Sequence, residues 1–321
     1  MSSKFDRGPR NATRQDSAAD RASSEPQSEA TPGGDPVAES PLHAAEVWCM
    51  KAGVLRREGR PDEAIPLFDK ALELNPCEAR AWVGKGLCHA TMGRHEAALE
   101  CYAEALVDDP QDAEAWCLKG QALATLGRYE EALRYLDKAL EIDPCMANAW
   151  VDEGLVRKAL GKCDEAIRCF DQALKLDERS PAAWYNKGNS LCAVGRFEEA
   201  LGCFNEVLVF DHHDARAWNN KGVCLSGLGR HAEAVLCFDK ALKTDPSYML
   251  ACRAKAVTLE RLGRIPEAVQ AYRQLIVVAA AQDAASVEGL QQHLRELESA
   301  LPTSSGGGSG PGMTRGRSEP A

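Results

Sequence analysis

Small, aromatic and apolar residues recur along this chain at one fixed interval, and that interval predicts its architecture. The six tryptophans, Trp48, Trp82, Trp116, Trp150, Trp184 and Trp218, are each 34 residues apart, and Cys252 stands where a seventh would fall. Eleven residues after each comes glycine (Gly59, Gly93, Gly127, Gly161, Gly195, Gly229, Gly263), and sixteen after comes alanine (Ala64, Ala98, Ala132, Ala166, Ala200, Ala234, Ala268). An aromatic residue or leucine follows four further on: Phe68, Tyr102, Leu136, Phe170, Phe204, Phe238 and Tyr272. A period of this length predicts a stack of supersecondary units that bury their apolar faces against one another.

Within each unit the pattern predicts two antiparallel helices. The glycine column supplies a left-handed residue that ends the first helix and allows a tight turn. Acidic pairs such as Asp62-Glu63, Glu130-Glu131 and Glu198-Glu199 then fall in the first turn of the second helix, where its dipole favours negative charge. Gly86, Gly120, Gly154, Gly188 and Gly222, with Ala52 and Ala256 in the outer copies, lack bulk and let the two backbones approach. Asn75-Pro76, Asp109-Pro110, Asp143-Pro144 and Asp245-Pro246 stop the second helix. Glu178 and His212 replace that proline, so those two junctions are expected to end less sharply. No strand pattern competes.

These columns, Trp, Leu-Gly, Tyr, then Ala, Phe and Pro, resemble the tetratricopeptide repeat family over about 236 of 321 residues. The resemblance implies an all-α, right-handed superhelical solenoid of seven 34-residue helix-turn-helix repeats over residues 44–282. An apolar stripe at helical spacing, Val287, Leu290, Leu294, Leu297 and Leu301, predicts a capping helix over 283–301 that covers the last repeat. Residues 1–43 and 302–321 are rich in Ser, Pro, Gly and charge and are expected to be disordered tails.

Composition narrows the function. A formal charge of -10, from 38 Lys plus Arg against 48 Asp plus Glu, argues against nucleic acid as a partner. The apolar run from Leu275 to Ala281 is too short to span a bilayer, and Met1 to Arg10 is followed by no apolar stretch, so a soluble, cytoplasmic protein with no membrane partner is expected. The thirteen cysteines contain no C-x-x-C pair, and many share repeat positions: Cys101, Cys169, Cys203 and Cys237 in one column, Cys77 and Cys145 in another. They read as duplicated small apolar residues and not as metal ligands. His212-His213-Asp214 falls in an inter-repeat turn and reads as a solvated turn. No phosphate loop, nucleophile elbow or His-Glu-x-x-His motif occurs, and the repeats leave no stretch for a catalytic domain; neither an enzyme nor a cofactor is expected.

The resemblance implies a protein-interaction module or scaffold that binds a peptide or helix in a concave groove lined by the first helices. The alternative is a non-catalytic regulatory subunit or co-chaperone. Some members of the family clamp a C-terminal carboxylate with lysines, asparagines and an arginine. In the best register Asn189 and Asn220 match, whereas Tyr185, Leu250 and Ala254 stand where cations would, which argues against a chaperone tail. The candidate site is the polar stretch in the last three repeats: Tyr185, Asn186, Asn189, Arg216, Asn219, Asn220 and Arg253. In the first four repeats the same helix faces offer little focused polarity.

Overall fold

The computed structural model describes residues 40–282 and 287–299, and every regular element among them is helical. The elements are α1 (Pro41–Arg57), α2 (Pro61–Leu74), α3 (Ala79–Thr91), α4 (His95–Asp108) and α5 (Ala113–Thr125). Next come α6 (Tyr129–Ile142), α7 (Ala147–Ala159), α8 (Cys163–Leu176), α9 (Pro181–Ala193) and α10 (Phe197–Phe210). The chain continues through α11 (Ala215–Gly227), α12 (His231–Thr244), α13 (Met249–Arg261), α14 (Ile265–Gln282) and α15 (Val287–Ser299).

Helices α1 to α14 pair into seven hairpins, and α15 packs on α14. Successive first helices, such as α9 with α11 and α11 with α13, also touch, whereas successive second helices make no comparable contact. That asymmetry places the first helices on the inner side of the solenoid. We number positions within a repeat so that tryptophan is position 4.

Each hairpin turns at a glycine with φ between 71° and 77°, a conformation that strains any other L-residue. The N–H of the next residue then reaches back to a carbonyl five residues earlier, as from Arg128 to Leu123 at 2.9 Å. This is the bond that closes a helix C-terminus. In the inner five hairpins the two helices meet where the position-24 side chain, a ring in four of them and Leu136 in the third repeat, lies against the position-8 glycine. A Cβ at Gly222 would stand 2.5 Å from the Phe238 ring, and one at Gly86 would stand 2.5 Å from Tyr102. The position-20 alanines beside these contacts are fully buried.

The tryptophans are half-buried and span the junction between repeats. From the second repeat to the sixth, the indole N–H donates to the carbonyl six residues before it: Pro76, Pro110, Pro144, Glu178 and His212 at 2.9–3.0 Å. The Asn or Asp that follows the second helix accepts the N–H two residues on, as in Arg179 to Asp177 at 3.0 Å and His213 to Asp211 at 2.9 Å. These bonds are the same whether the intervening residue is proline or not. The junctions at Glu178 and His212 therefore end as sharply as the others, after helices of 14 residues each. The Asx turn and the indole hold the junction, and proline is not required for it.

Two boundaries differ from expectation or extend past it. Residues Pro41 to His43, assigned from the sequence to the tail, form the first turn of α1, because the Ser40 hydroxyl accepts the His43 N–H at 3.2 Å and Pro41 suits the first helical position. The described part of the expected capping helix is Val287–Ser299. Leu297 is buried in the terminal core and Leu290 and Leu294 pack against it. Leu301 and the remainder of both expected tails lie outside the described residues.

One repeat reverses a charge. Position 7 is lysine in every copy but the fourth, and Lys85, Lys187 and Lys255 pair with an aspartate of the preceding repeat at 2.6–2.7 Å. In the fourth copy Glu153, only 4% exposed, faces Asp137 instead. Arg157, at a position held elsewhere by leucine or histidine, bonds Glu153 and Glu165 at 2.5 Å and lies 3.6 Å from Asp137. Removing this guanidinium strands a buried carboxylate, so Arg157→Ala is expected to cost about 3 to 5 kcal/mol. By contrast, Trp150→Ala removes a half-buried ring and one hydrogen bond, and is expected to cost about 2 to 3 kcal/mol, less than a fully buried tryptophan. Urea midpoints of the two variants check both values.

Candidate functional site

Positions 5, 6 and 9 of neighbouring first helices face one another on the inner side of the solenoid, and their polar members are joined by hydrogen bonds. Asn219 Nδ2 donates to Asn220 Oδ1 at 3.0 Å. Asn220 Nδ2 in turn donates to Asn189 Oδ1 at 2.8 Å and to the Tyr185 hydroxyl at 3.2 Å. The Arg216 guanidinium lies 5.2 Å from the centre of the Tyr185 ring and 3.7 Å from Asp214. Tyr185 is itself fixed edge-on against Phe204 at 6.0 Å. Five of the seven expected residues thus form one connected cluster across α9 and α11.

The direction of these bonds matters. Asn220 Oδ1, Asn189 Oδ1 and the Tyr185 hydroxyl each accept internally, and the groups left over are donors, the Tyr185 hydroxyl proton and the Asn189 amide, with the Arg216 guanidinium beside them shared between Asp214 and the Tyr185 ring. The two other expected residues behave differently. Asn186 turns back on its own helix, its Nδ2 donating to the Ala182 carbonyl at 2.9 Å. Arg253 lies one repeat further along, on α13, exposed and with no ion-pair partner among the described residues.

Between α11 and α13 the groove deepens into a cavity of about 540 Å³ lined by Asn219, Val223, Leu250, Arg253, Val257 and Arg261 among others. Asn219 is 5% exposed, and its Oδ1 receives no hydrogen bond. The cavity is apolar on its walls and carries two guanidinium groups.

The expectation that the first four repeats are unfocused needs correction. Asp152, at position 6 of the fourth repeat, accepts Gln121 Nε2 at 2.5 Å and the Cys117 thiol at 3.7 Å. Gln121 and Cys117 occupy positions 9 and 5 of the third repeat, the register in which Asn189 and Tyr185 meet Asn220. A second polar node therefore sits on the groove two repeats earlier. Comparing position 6 of one repeat with position 9 of the previous one would have found it.

Residues 10–214 match the family described as the cilia and flagella-associated protein 70 C-terminal domain, and residues 215–248 match the tetratricopeptide repeat. The chain belongs to the tetratricopeptide repeat family. That family is generally non-catalytic, and its folds bind protein partners. The crystal structure of YrrB, described as a TPR protein with an unusual peptide-binding site, is 29% identical, covers 59% of this chain and 97% of its own, and superposes with a TM-score of 0.52. Two further tetratricopeptide folds show the same architecture. Pseudomonas aeruginosa pilF is 20% identical over 67% of this chain and 98% of its own, with a TM-score of 0.61. MamA of Desulfovibrio magneticus RS-1 is 24% identical over 54% of this chain and 97% of its own, with a TM-score of 0.52. No curated protein matches the chain significantly. No helix among the described residues is long and apolar enough to cross a membrane.

Burial raises the Asp152 carboxyl above the ordinary carboxylate range, against the opposing pull of its two hydrogen bonds. The unfolded chain then releases this proton first as pH rises. Stability from this group accordingly falls from the ordinary carboxylate pKa up to the raised one and is level above it. Asp152→Asn, which keeps an acceptor for Gln121 but does not titrate, is expected to gain on the wild type across that window and to match it most closely in acid. Urea midpoints of the two chains between about pH 3 and about pH 7 test this.

Proposed function

We propose that this chain is a non-catalytic scaffold that holds an extended segment of a partner protein in the groove of repeats five to seven. The segment carries an apolar side chain with a carboxylate beside it. The observation that carries this reading is the direction of the Asn219–Asn220–Asn189–Tyr185 network, in which Asn220 Oδ1, Asn189 Oδ1 and the Tyr185 hydroxyl accept internally and the Tyr185 hydroxyl proton and the Asn189 amide are left as donors. Donors facing outward suit backbone carbonyls and carboxylates, and Arg253 and Arg261 offer charge for the latter. The cavity between α11 and α13 suits an apolar side chain.

The likeness to YrrB, a protein described as having a peptide-binding site, supports a peptide as the ligand class. Asn186 is not assigned a contact, since its amide is committed to its own helix. Nucleic acid is not a partner on this reading: the groove is cationic over one short stretch, in a chain of net charge -10.

An array of short peptides pairing each apolar residue with either an acidic or a basic neighbour tests the reading. The acidic set is expected to bind. Arg253→Ala is expected to weaken it about tenfold, as for one charge-assisted bond of about 1.4 kcal/mol. Asn219→Leu, which takes the polar end off the network at the cavity, is expected to weaken binding of that set while leaving the melting temperature nearly unchanged, because loss of its hydrogen bond to Asn220 is offset by loss of an unsatisfied buried acceptor. Equal binding of both sets, or binding unaltered in the two folded variants, would overturn the proposal.

A further inference from the structure

A second feature lies just behind the groove and is independent of what the groove binds. Cys192 on α9 and Cys224 on α11 place their sulfurs 2.7 Å apart, inside the contact distance of two non-bonded sulfur atoms. They occupy position 12 of the fifth repeat and position 10 of the sixth. At the other junctions the same two positions hold Arg56 and Cys88, Ala90 and Ala122, Ala124 and Val156, Lys158 and Ser190, and Ser226 and Thr258. The duplicated-residue explanation that fits the position-23 cysteines therefore does not account for this pair: it arises at one junction and from two different columns. Both sulfurs adjoin the core formed by Leu191, Cys203 and Phe204.

We propose that Cys192 and Cys224 form a thiol–disulfide exchange site that reacts with small disulfides of the glutathione class and becomes a covalent bridge between repeats five and six. The two thiols differ in access. Cys224 is fully buried, whereas Cys192 is partly exposed. The hydrogen bond between them favours the thiolate on Cys192, which lowers its pKa from the ordinary thiol value against the opposing effect of burial. The same bond, together with burial, pushes the Cys224 thiol up. Cys192 is thus the attacking sulfur and Cys224 the resolving one.

The exchange balances in two steps. The Cys192 thiolate attacks one sulfur of the small disulfide, a mixed disulfide forms, and one small thiolate leaves. Cys224 then loses its proton and attacks the Cys192 sulfur, expelling the second small thiolate. The two protons of the protein thiols end on the two released thiols. Two protein thiols are oxidised and one small disulfide is reduced.

The bridge would join the helices that carry Tyr185 and Asn189 on one side and Asn220 on the other, fixing the spacing of two rungs of the groove. That consequence rests on the proposed function, but the bridge itself does not. Digestion after Lys and Arg isolates residues 188–196 and 222–230, each with one cysteine, so the linkage is read directly by mass spectrometry. The folded chain is incubated with oxidised glutathione, then denatured and alkylated. A linked pair of these two peptides, lighter by two hydrogens than their sum, is expected in the wild type. Cys224→Ser is expected to stop at glutathione attached to Cys192, and Cys192→Ser to leave Cys224 free for alkylation. Both thiols alkylated in the wild type, or Cys192 joined to another cysteine such as Cys203, would overturn the proposal. The assay uses no peptide ligand, so its failure and a failure of peptide capture are separate results.

Discussion

The contact between the position-24 side chain, a ring or Leu136, and the position-8 glycine sets the distance between the two helices of the five inner hairpins, and the rest of the solenoid follows from that distance. With the ring standing where a Cβ would be, the first helix lies close enough for a buried alanine at position 20 to complete the contact. A side chain at position 8 would force the ring aside, and overpacking a close-packed interface is destabilising. The first repeat shows what relieves the constraint. There position 8 is Ala52, and the Phe68 ring presses instead on Gly84 of the next repeat, where a Cβ would stand 2.4 Å away. In the last repeat position 8 is Ala256, and the Tyr272 hydroxyl donates to Glu260 at 3.0 Å while its ring meets His293 of α15 at 5.0 Å. Glycine is thus displaced only at the ends, where a neighbour can take up the ring.

Because the same contact recurs, a departure in one column has to be compensated inside its own repeat. Glu153 is the clearest case, since it stands where lysine otherwise neutralises the preceding aspartate. The compensation comes from position 11, one turn along α7, where Arg157 reaches Glu153, Asp137 and Glu165 together. Lys119 is a milder case. Its partner column holds Ala103, and its ammonium instead lies 4.6 Å from the centre of the Tyr135 ring. Charge reversal and partner loss are both absorbed without altering the 34-residue length.

The fold was legible in the sequence because each column has one local role, whether a φ above zero, a missing Cβ or a buried ring. Those roles depend on residue type and spacing, and spacing is visible. The groove was legible only in part, because its chemistry depends on where each amide spends its hydrogen bonds. Asn186 and Asn220 look equivalent in register, yet one is turned onto its own helix and the other ties two repeats together. Nothing in the sequence singles out Asp152 and Gln121, which are 31 residues apart and neither unusual alone. Likewise Cys192 and Cys224 belong to different columns, so a search for column regularity files each under its own repeat and does not see them meet.

The charge distribution limits how a partner can be recognised. A chain with net charge -10 repels an acidic segment as a whole, but surface charges are screened beyond about 8 Å in physiological salt. An acidic ligand thus gains little from long-range steering and must be held by contacts made at the groove itself. Arg253 meets that requirement because no ion pair among the described residues competes for it, whereas Arg216 is shared between Asp214 and the Tyr185 ring. Discrimination then falls to the apolar cavity behind Arg253. A carboxylate without a neighbouring apolar side chain would leave that cavity unfilled, and so would bind more weakly than one that brings both.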